Sequence, residues 1–150
     1  MTTICYKDGI IAFDSLLTRS DMITDRNFHK HYTEHGMEFF MTGAVCDYEE
    51  FFEVAAGKQK ARDGIQLEVE ALMIKEGKIY HCAVGDEFWK SPVYDEDIIS
   101  IGSGSNFAYG AMDCGCSAEE AVKVAANRDI YTGGVIRTFN IKEEINNDIM

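Results

Sequence analysis

Thr2-Thr3-Ile4-Cys5-Tyr6-Lys7-Asp8-Gly9-Ile10-Ile11-Ala12-Phe13-Asp14 is the stretch that decides the fold class of this chain. Two runs rich in β-branched and aromatic residues, Thr2–Lys7 and Ile10–Asp14, flank an Asp-Gly pair. Asp-Gly is the favoured two-residue turn of a tight hairpin, because both central positions take positive φ. The chain therefore opens with two antiparallel strands. Ser15 to His35 is polar and has no strong period. Met37 to Val45 is apolar and reads as a buried strand running into a small-residue turn. Asp47 is a candidate N-cap, with Glu49 and Glu50 placed to complement the helix dipole. Phe51, Phe52, Val54 and Ala55 then predict a short amphipathic helix closed by Gly57. Lys58 to Gly64 is charged and reads as a loop. Leu67, Val69, Ala71 and Met73 alternate with polar residues at strand period. Glu76-Gly77 turns the chain back into Lys78–Val84. After Pro92 and the acids Asp95 to Asp97, Ile98–Ile101 is another short buried strand. Gly102-Ser103-Gly104-Ser105 breaks it, and Phe107–Met112 predicts a helix. Ser117 with Glu120 is a capping box opening a further helix through Ala126. Gly133-Gly134 precedes a last strand, Val135–Ile141, and the tail Glu143–Met150 is polar and expected to fray. Strands and helices come in blocks, so the expectation is an α+β fold with antiparallel sheets, in a single domain over residues 1–150.

Composition narrows the function. The 150 residues carry 14 Lys and Arg against 26 Asp and Glu, a formal net charge of −12. That field opposes nucleic acid and anionic membrane surfaces, so neither is expected as a partner. An apolar share of 46% with 11% aromatics is globular composition. No apolar run approaches a membrane span, and Met1-Thr2-Thr3-Ile4-Cys5 does not read as a secretory signal, so none is expected. Five cysteines, Cys5, Cys46, Cys82, Cys114 and Cys116, read as reduced thiols in a cytoplasmic protein. Cys114-Gly115-Cys116 is spaced too closely for a zinc knuckle pair or a thioredoxin-type motif. His29, His31 and His35 read as exposed loop histidines. No metal or cofactor is expected.

Chemistry enters at the second residue. Thr2 is small enough for the initiator Met1 to be trimmed. Trimming would leave a free α-amine, with a reference pKa near ~8, beside the residue's own hydroxyl. A threonine hydroxyl paired with its own terminal amine is a known activated nucleophile.

Asp14, Lys30, the Gly-Ser-Gly-Ser stretch and Arg128-Asp129-Ile130-Tyr131-Thr132-Gly133-Gly134 complete a pattern. In order and spacing they resemble the proteasome β-subunit family, with its bacterial relative HslV, among the N-terminal-nucleophile hydrolases. The resemblance runs through nearly the whole chain. Thr2-Thr3-Ile4 matches the mature start, Ile11-Ala12-Phe13-Asp14-Ser15 the second strand, and Ile101 to Gly110 the serine loop and its helix. It implies a four-layer αββα sandwich of two antiparallel sheets. It implies Thr2 as nucleophile, Lys30 as the cation beside it, and Asp14 as the partner of Lys30. Ser103, Asp129 and Thr132, which stands where the family usually has Ser, would orient the terminal amine. Gly43 would donate a backbone N–H to the oxyanion. Leu17, Phe28 and Met41 would line an apolar pocket for the residue before the cut. The activity implied is that of a threonine-type endopeptidase acting on peptides or unfolded proteins within a homo-oligomeric ring. The Asp47–Gly64 stretch has room for only one short helix, so one of the usual central helices is shortened or missing. No Walker motif is present, so an ATP-dependent unfoldase would be a separate chain. A non-catalytic scaffold subunit that keeps Met1, and a small amidase of the same superfamily, are the alternatives.

Overall fold

The computed structural model describes residues 2–142. The frayed tail expected over Glu143–Met150 lies outside them, as does Met1. The chain forms two compact units, one running to Lys30 and resuming at Tyr94, the other spanning His31–Val93.

In the first unit, β1 (Thr3–Lys7) and β2 (Ile10–Phe13) form the expected hairpin, with Ile4 opposite Phe13 and Lys7 opposite Ile10. Its turn residues Asp8 and Gly9 have φ of 53° and 81°, the geometry that matches strand twist. A second hairpin, β3 (Leu17–Arg19) and β4 (Met22–Asp25), follows in the stretch whose sequence has no period. Later in the chain β10 (Ile99–Gly102) pairs with β1, and β11 (Arg137–Asn140) with β2. The result is a four-stranded antiparallel sheet of order β10-β1-β2-β11. Helices α2 (Ser105–Asp113) and α3 (Ala118–Ala126) pack on one face of it. Cys5 and Ala12 meet Ala108, Met112, Ala121, Val122 and Ala125 there. Small residues on both sides let the helices approach the strands closely. Ile4, Tyr6, Ile11 and Phe13, at alternate positions on the opposite face, are buried too. That is why these strands read as continuous apolar runs rather than alternating ones. The α3 capping box forms as expected: the Ser117 hydroxyl accepts from the Glu120 N–H, and the Glu120 carboxylate from the Ser117 N–H.

The second unit is a five-stranded antiparallel sheet. In spatial order it contains β5 (His31–Glu34), β6 (Met37–Gly43), β7 (Val69–Lys75), β8 (Lys78–Val84) and β9 (Phe88–Val93). A 3-10 turn, Val45–Asp47, leads into α1 (Tyr48–Ala55), which covers one face. Phe39 and Met41 of β6, Ala71 and Met73 of β7 and Cys82 of β8 pack against Phe51, Phe52 and Val54 of α1. Burying each such phenylalanine contributes roughly 1.5–3 kcal/mol. Asp47 occupies the N-cap position of α1, but its side chain makes no cap hydrogen bond. It accepts the Glu68 N–H at 3.0 Å instead, tying the loop before β7 to the helix start. Between α1 and β7 the chain makes no further helix. His31 differs from the expected exposed loop histidine. It lies on β5, partly buried, stacked on Phe40 and 2.5 Å from Glu38. Among the described residues no helix is long and apolar enough to cross a membrane.

Candidate active site

Six of the residues singled out in the sequence come together in the first unit. Asp14 follows the last residue of β2, buried at 0% exposure. Its Oδ1 accepts from the Thr2 hydroxyl at 2.8 Å, the Thr3 N–H at 3.2 Å and the Lys30 ammonium at 2.8 Å. Its Oδ2 accepts from the Gly133 N–H at 3.0 Å and the Leu16 N–H at 3.4 Å. The carboxylate faces the ammonium as a buried ion pair. Lys30 Nζ also donates to the Thr2 hydroxyl oxygen. Thr2 Oγ1 therefore sits between an ammonium and a carboxylate.

Lys30 is carried by an irregular segment, and backbone bonds fix that segment. The Phe28 N–H donates to the Ser15 carbonyl at 2.9 Å, and the Val135 N–H to the Arg26 carbonyl at 3.2 Å. Arg137 of β11 donates to the Ser15 hydroxyl and to the Asn27 side-chain carbonyl. These contacts hold residues 26–30 against the end of β2. Burial pushes the Lys30 ammonium below its ordinary value of 10.5, and the charge and hydrogen bond of Asp14 oppose that shift, as does the charge of Asp129.

A second cluster lies on the nitrogen side of Thr2. The Thr2 N–H donates to Ser103 Oγ at 3.2 Å. Ser103 and Thr132 both donate to Asp129 Oδ2 at 2.6 Å. Thr132 Oγ1 lies 2.7 Å from Thr3 Oγ1. Ser103 stands at the β10–α2 junction, and Asp129 and Thr132 in the loop after α3. Antiparallel pairing of β1 with β10, with Thr3 opposite Gly102, brings the serine loop beside Thr2. Thr2 is 1% exposed, whereas Ser103 is exposed.

Of the other candidates, Leu17 on β3 and Phe28 are half-buried in the first unit. Met41, fully buried, and Gly43 belong to β6 of the second unit. Cys5 is buried and its thiol is pushed up to about 12 by burial, so it offers no thiolate nucleophile at neutral pH. Among the described residues no group of three or more His, Cys, Asp or Glu is arranged to hold a metal ion. Sequence reasoning missed Thr3 as a member of the polar cluster. The Thr-Thr doublet was the available signal, but strand alternation says only that its side chain points away from that of the next residue.

Aligned over 59 residues, proteasome subunit beta type-8 of Canis lupus familiaris is 41% identical to this chain and that of Homo sapiens 39%. A probable proteasome subunit beta type-5 of Schizosaccharomyces pombe is 36% identical over 58 residues. Each alignment takes in about a third of this chain and spans 21% of the relative's length. No family model matches the chain. Among solved structures, HslV from Trypanosoma brucei superposes with a TM-score of 0.69 at 16% identity, covering 92% of this chain and 98% of that one. The chain is similar to proteasome β subunits and to HslV. A Thiobacillus denitrificans protein, BPH, solved in complex with epoxomicin, gives a TM-score of 0.65 at 18% identity over 92% of this chain and 96% of that one. The fold is α+β, built of antiparallel sheets and helices, and is similar to that of these solved structures.

Proposed function

We propose that this proteasome β/HslV-like chain is a threonine-type endopeptidase, with Thr2 as nucleophile once the Met1–Thr2 bond is cut. The observation that carries the reading is the Thr2 hydroxyl held between the Lys30 ammonium and the Asp14 carboxylate, in contact with both. The freed amine takes the hydroxyl proton while Thr2 Oγ bonds to the substrate carbonyl carbon. The amine then gives that proton to the leaving nitrogen as the peptide C–N bond breaks. Water cleaves the resulting ester and regenerates Thr2. The Lys30 charge favours the alkoxide character of Oγ and disfavours protonation of the amine, keeping it a base. Asp14 holds the ammonium in place. Ser103, Asp129 and Thr132 orient the amine.

The assignments of Gly43 as an oxyanion donor and of Leu17, Phe28 and Met41 as pocket lining rest on the family resemblance alone. So do cleavage after apolar residues, a homo-oligomeric ring, a cytoplasmic location and a separate ATP-dependent unfoldase.

The test pairs intact-mass measurement of the purified protein with turnover of fluorogenic peptides ending in an apolar residue. The reading expects a Met1-free mass and turnover. Thr2→Ala abolishes that turnover, and Lys30→Ala lowers it by at least about 100-fold with the fold retained, a typical scale for losing a preorganised charge at the reacting atoms. Epoxomicin, bound by the Thiobacillus denitrificans protein, serves as a probe and should bind the Met1-free protein but not Thr2→Ala. A protein that keeps Met1 when natively expressed, with no Thr2-dependent turnover, is the scaffold subunit instead.

A further inference from the structure

We propose that Thr3 is a positioning residue for the Thr2 amine, acting through Thr132 and Asp129, and that Gly104 is glycine in order to make room for it. The inference rests on the peptidase reading and extends it to residues that reading does not use.

Each hydroxyl has one proton, so the distances fix the direction of every bond in the cluster. Thr132 donates to Asp129 Oδ2 at 2.6 Å. At 2.7 Å from Thr3, Thr132 is therefore the acceptor and Thr3 the donor. Ser103 also lies 3.3 Å from the Thr2 carbonyl. Its bond to the Asp129 carboxylate, at 2.6 Å, is shorter and charge-assisted and takes the proton. Ser103 is then the acceptor of the N–H of Thr2 at 3.2 Å. Two chains of donors converge on one carboxylate oxygen: Thr3 to Thr132 to Asp129 on one side, and the Thr2 nitrogen to Ser103 to Asp129 on the other. With this polarity a free Thr2 amine spends an N–H on Ser103 and keeps its lone pair for its own hydroxyl. The base is aimed as well as held nearby.

Gly104 supplies an independent observation. Its backbone, at φ −91° and ψ 8°, is open to any residue. Space is what excludes a side chain. A Cβ there would lie 2.1 Å from Thr3 Oγ1, 3.1 Å from Thr132 Oγ1 and 3.0 Å from the Ala125 Cβ of α3. Thr3 and Thr132 are 0% and 4% exposed. The hydroxyl pair thus occupies a sealed slot that the missing Cβ leaves open.

Without the Thr3 hydroxyl, the Thr132 oxygen is buried without its donor, and the polarised chain to Asp129 weakens. Asp129 then keeps more of its negative field on the nearby Thr2 nitrogen, which favours ammonium over amine. The Met1-free protein is compared as wild type, Thr3→Val, Thr3→Ala and Thr3→Ser. The pH dependence of Thr2 amine carbamylation by cyanate, read by intact mass, reports the amine pKa. Peptide turnover reports kcat and KM. Thr3→Val and Thr3→Ala should raise the amine pKa, and should lower kcat at neutral pH about three- to tenfold with KM unchanged, the scale of one buried hydrogen bond. Thr3→Ser should restore both. Gly104→Ala should reproduce the defect, and Thr3→Ala should relieve its folding cost. An unchanged amine pKa in a folded Thr3→Val or Thr3→Ala protein overturns the inference, as does a failure of Thr3→Ser to restore it. Because carbamylation needs no turnover, an inactive wild type would end the peptidase reading and still leave this one decided.

Discussion

Asp14 holds the oxygen side of the site together, and the way its bonds are shared decides what single substitutions do. Besides Lys30, it accepts from the Thr2 hydroxyl and from the Thr3, Leu16 and Gly133 N–H groups. Removing the lysine leaves those donors, so Lys30→Ala should cost no more than about 1–3 kcal/mol of stability, below the usual penalty for breaking a buried pair. Chemical denaturation checks this, and the activity loss should far exceed the stability loss. The direction of the Lys30 shift also sets a pH dependence. Burial disfavours the ammonium, so Lys30 loses its proton below 10.5. If the charge is needed, kcat/KM should fall on an alkaline limb lying below that value. For stability the sign is the same as for any depressed pKa. The cost of burying the charge is full below the folded pKa and disappears as pH rises to 10.5, so the lysine's contribution improves across that window. Asp14 raises the Lys30 pKa. Asp14→Asn should therefore move the alkaline limb to still lower pH. A pH–rate profile of the two proteins reads both statements, and a limb that stays put in Asp14→Asn contradicts the pairing.

Single elements differ in how much of them can be read from the chain. The Asp8-Gly9 and Glu76-Gly77 hairpins are legible because turn chemistry is local. Both first positions sit at φ 53°, and an Asp or Glu before Gly between apolar runs says so. His35-Gly36 makes the same turn, at φ 51° and 77°, but histidine is a weaker turn signal and β5 is only four residues long. Strand β4 is exposed along its whole length, so no alternation marks it. Strand β9 contains Pro92, which argues against a central strand. It is tolerated because β9 is the edge of its sheet. The α3 cap was readable and is formed. Ser117→Ala should cost about 1 kcal/mol and lower Tm by about 2–4 °C in a calorimetric scan. Gly43 shows where an element constrains a residue apart from any catalytic role. Its φ is +117°, and a Cβ would lie 1.9 Å from the Glu68 carbonyl oxygen. Gly43→Ala should therefore destabilise the β6–β7 pairing, visible in hydrogen exchange of those strands, whether or not the residue serves an oxyanion. Activity loss in that variant alone cannot be assigned to chemistry.

For the molecule as a whole, the polar centre draws on points scattered along the sequence: the start of the chain, the end of β2, an irregular segment, the β10–α2 turn and the loop after α3. Antiparallel pairing of β1 with its two neighbours collects them into one unit. Lys30 was legible only through family spacing, since nothing local in His29-Lys30-His31 marks a buried cation. Its burial comes from Phe28, Asn27 and Arg26 being fastened to Ser15, Arg137 and Val135. Those are long-range contacts that no periodicity reveals. Thr3 and Gly104 escaped for the same reason, because the slot they share exists only after β1 and α3 have packed. The strong acidity, a net charge of −12, belongs to this scale too and favours soluble behaviour rather than any particular partner. The most direct measurement of the central claim is peptide turnover by the Met1-free protein beside its Thr2→Ala counterpart, with intact mass confirming each N-terminus. The account predicts turnover in the first and none above background in the second. Equal activity in the two, or none in a folded protein whose Thr2 amine is shown to be free, would contradict it.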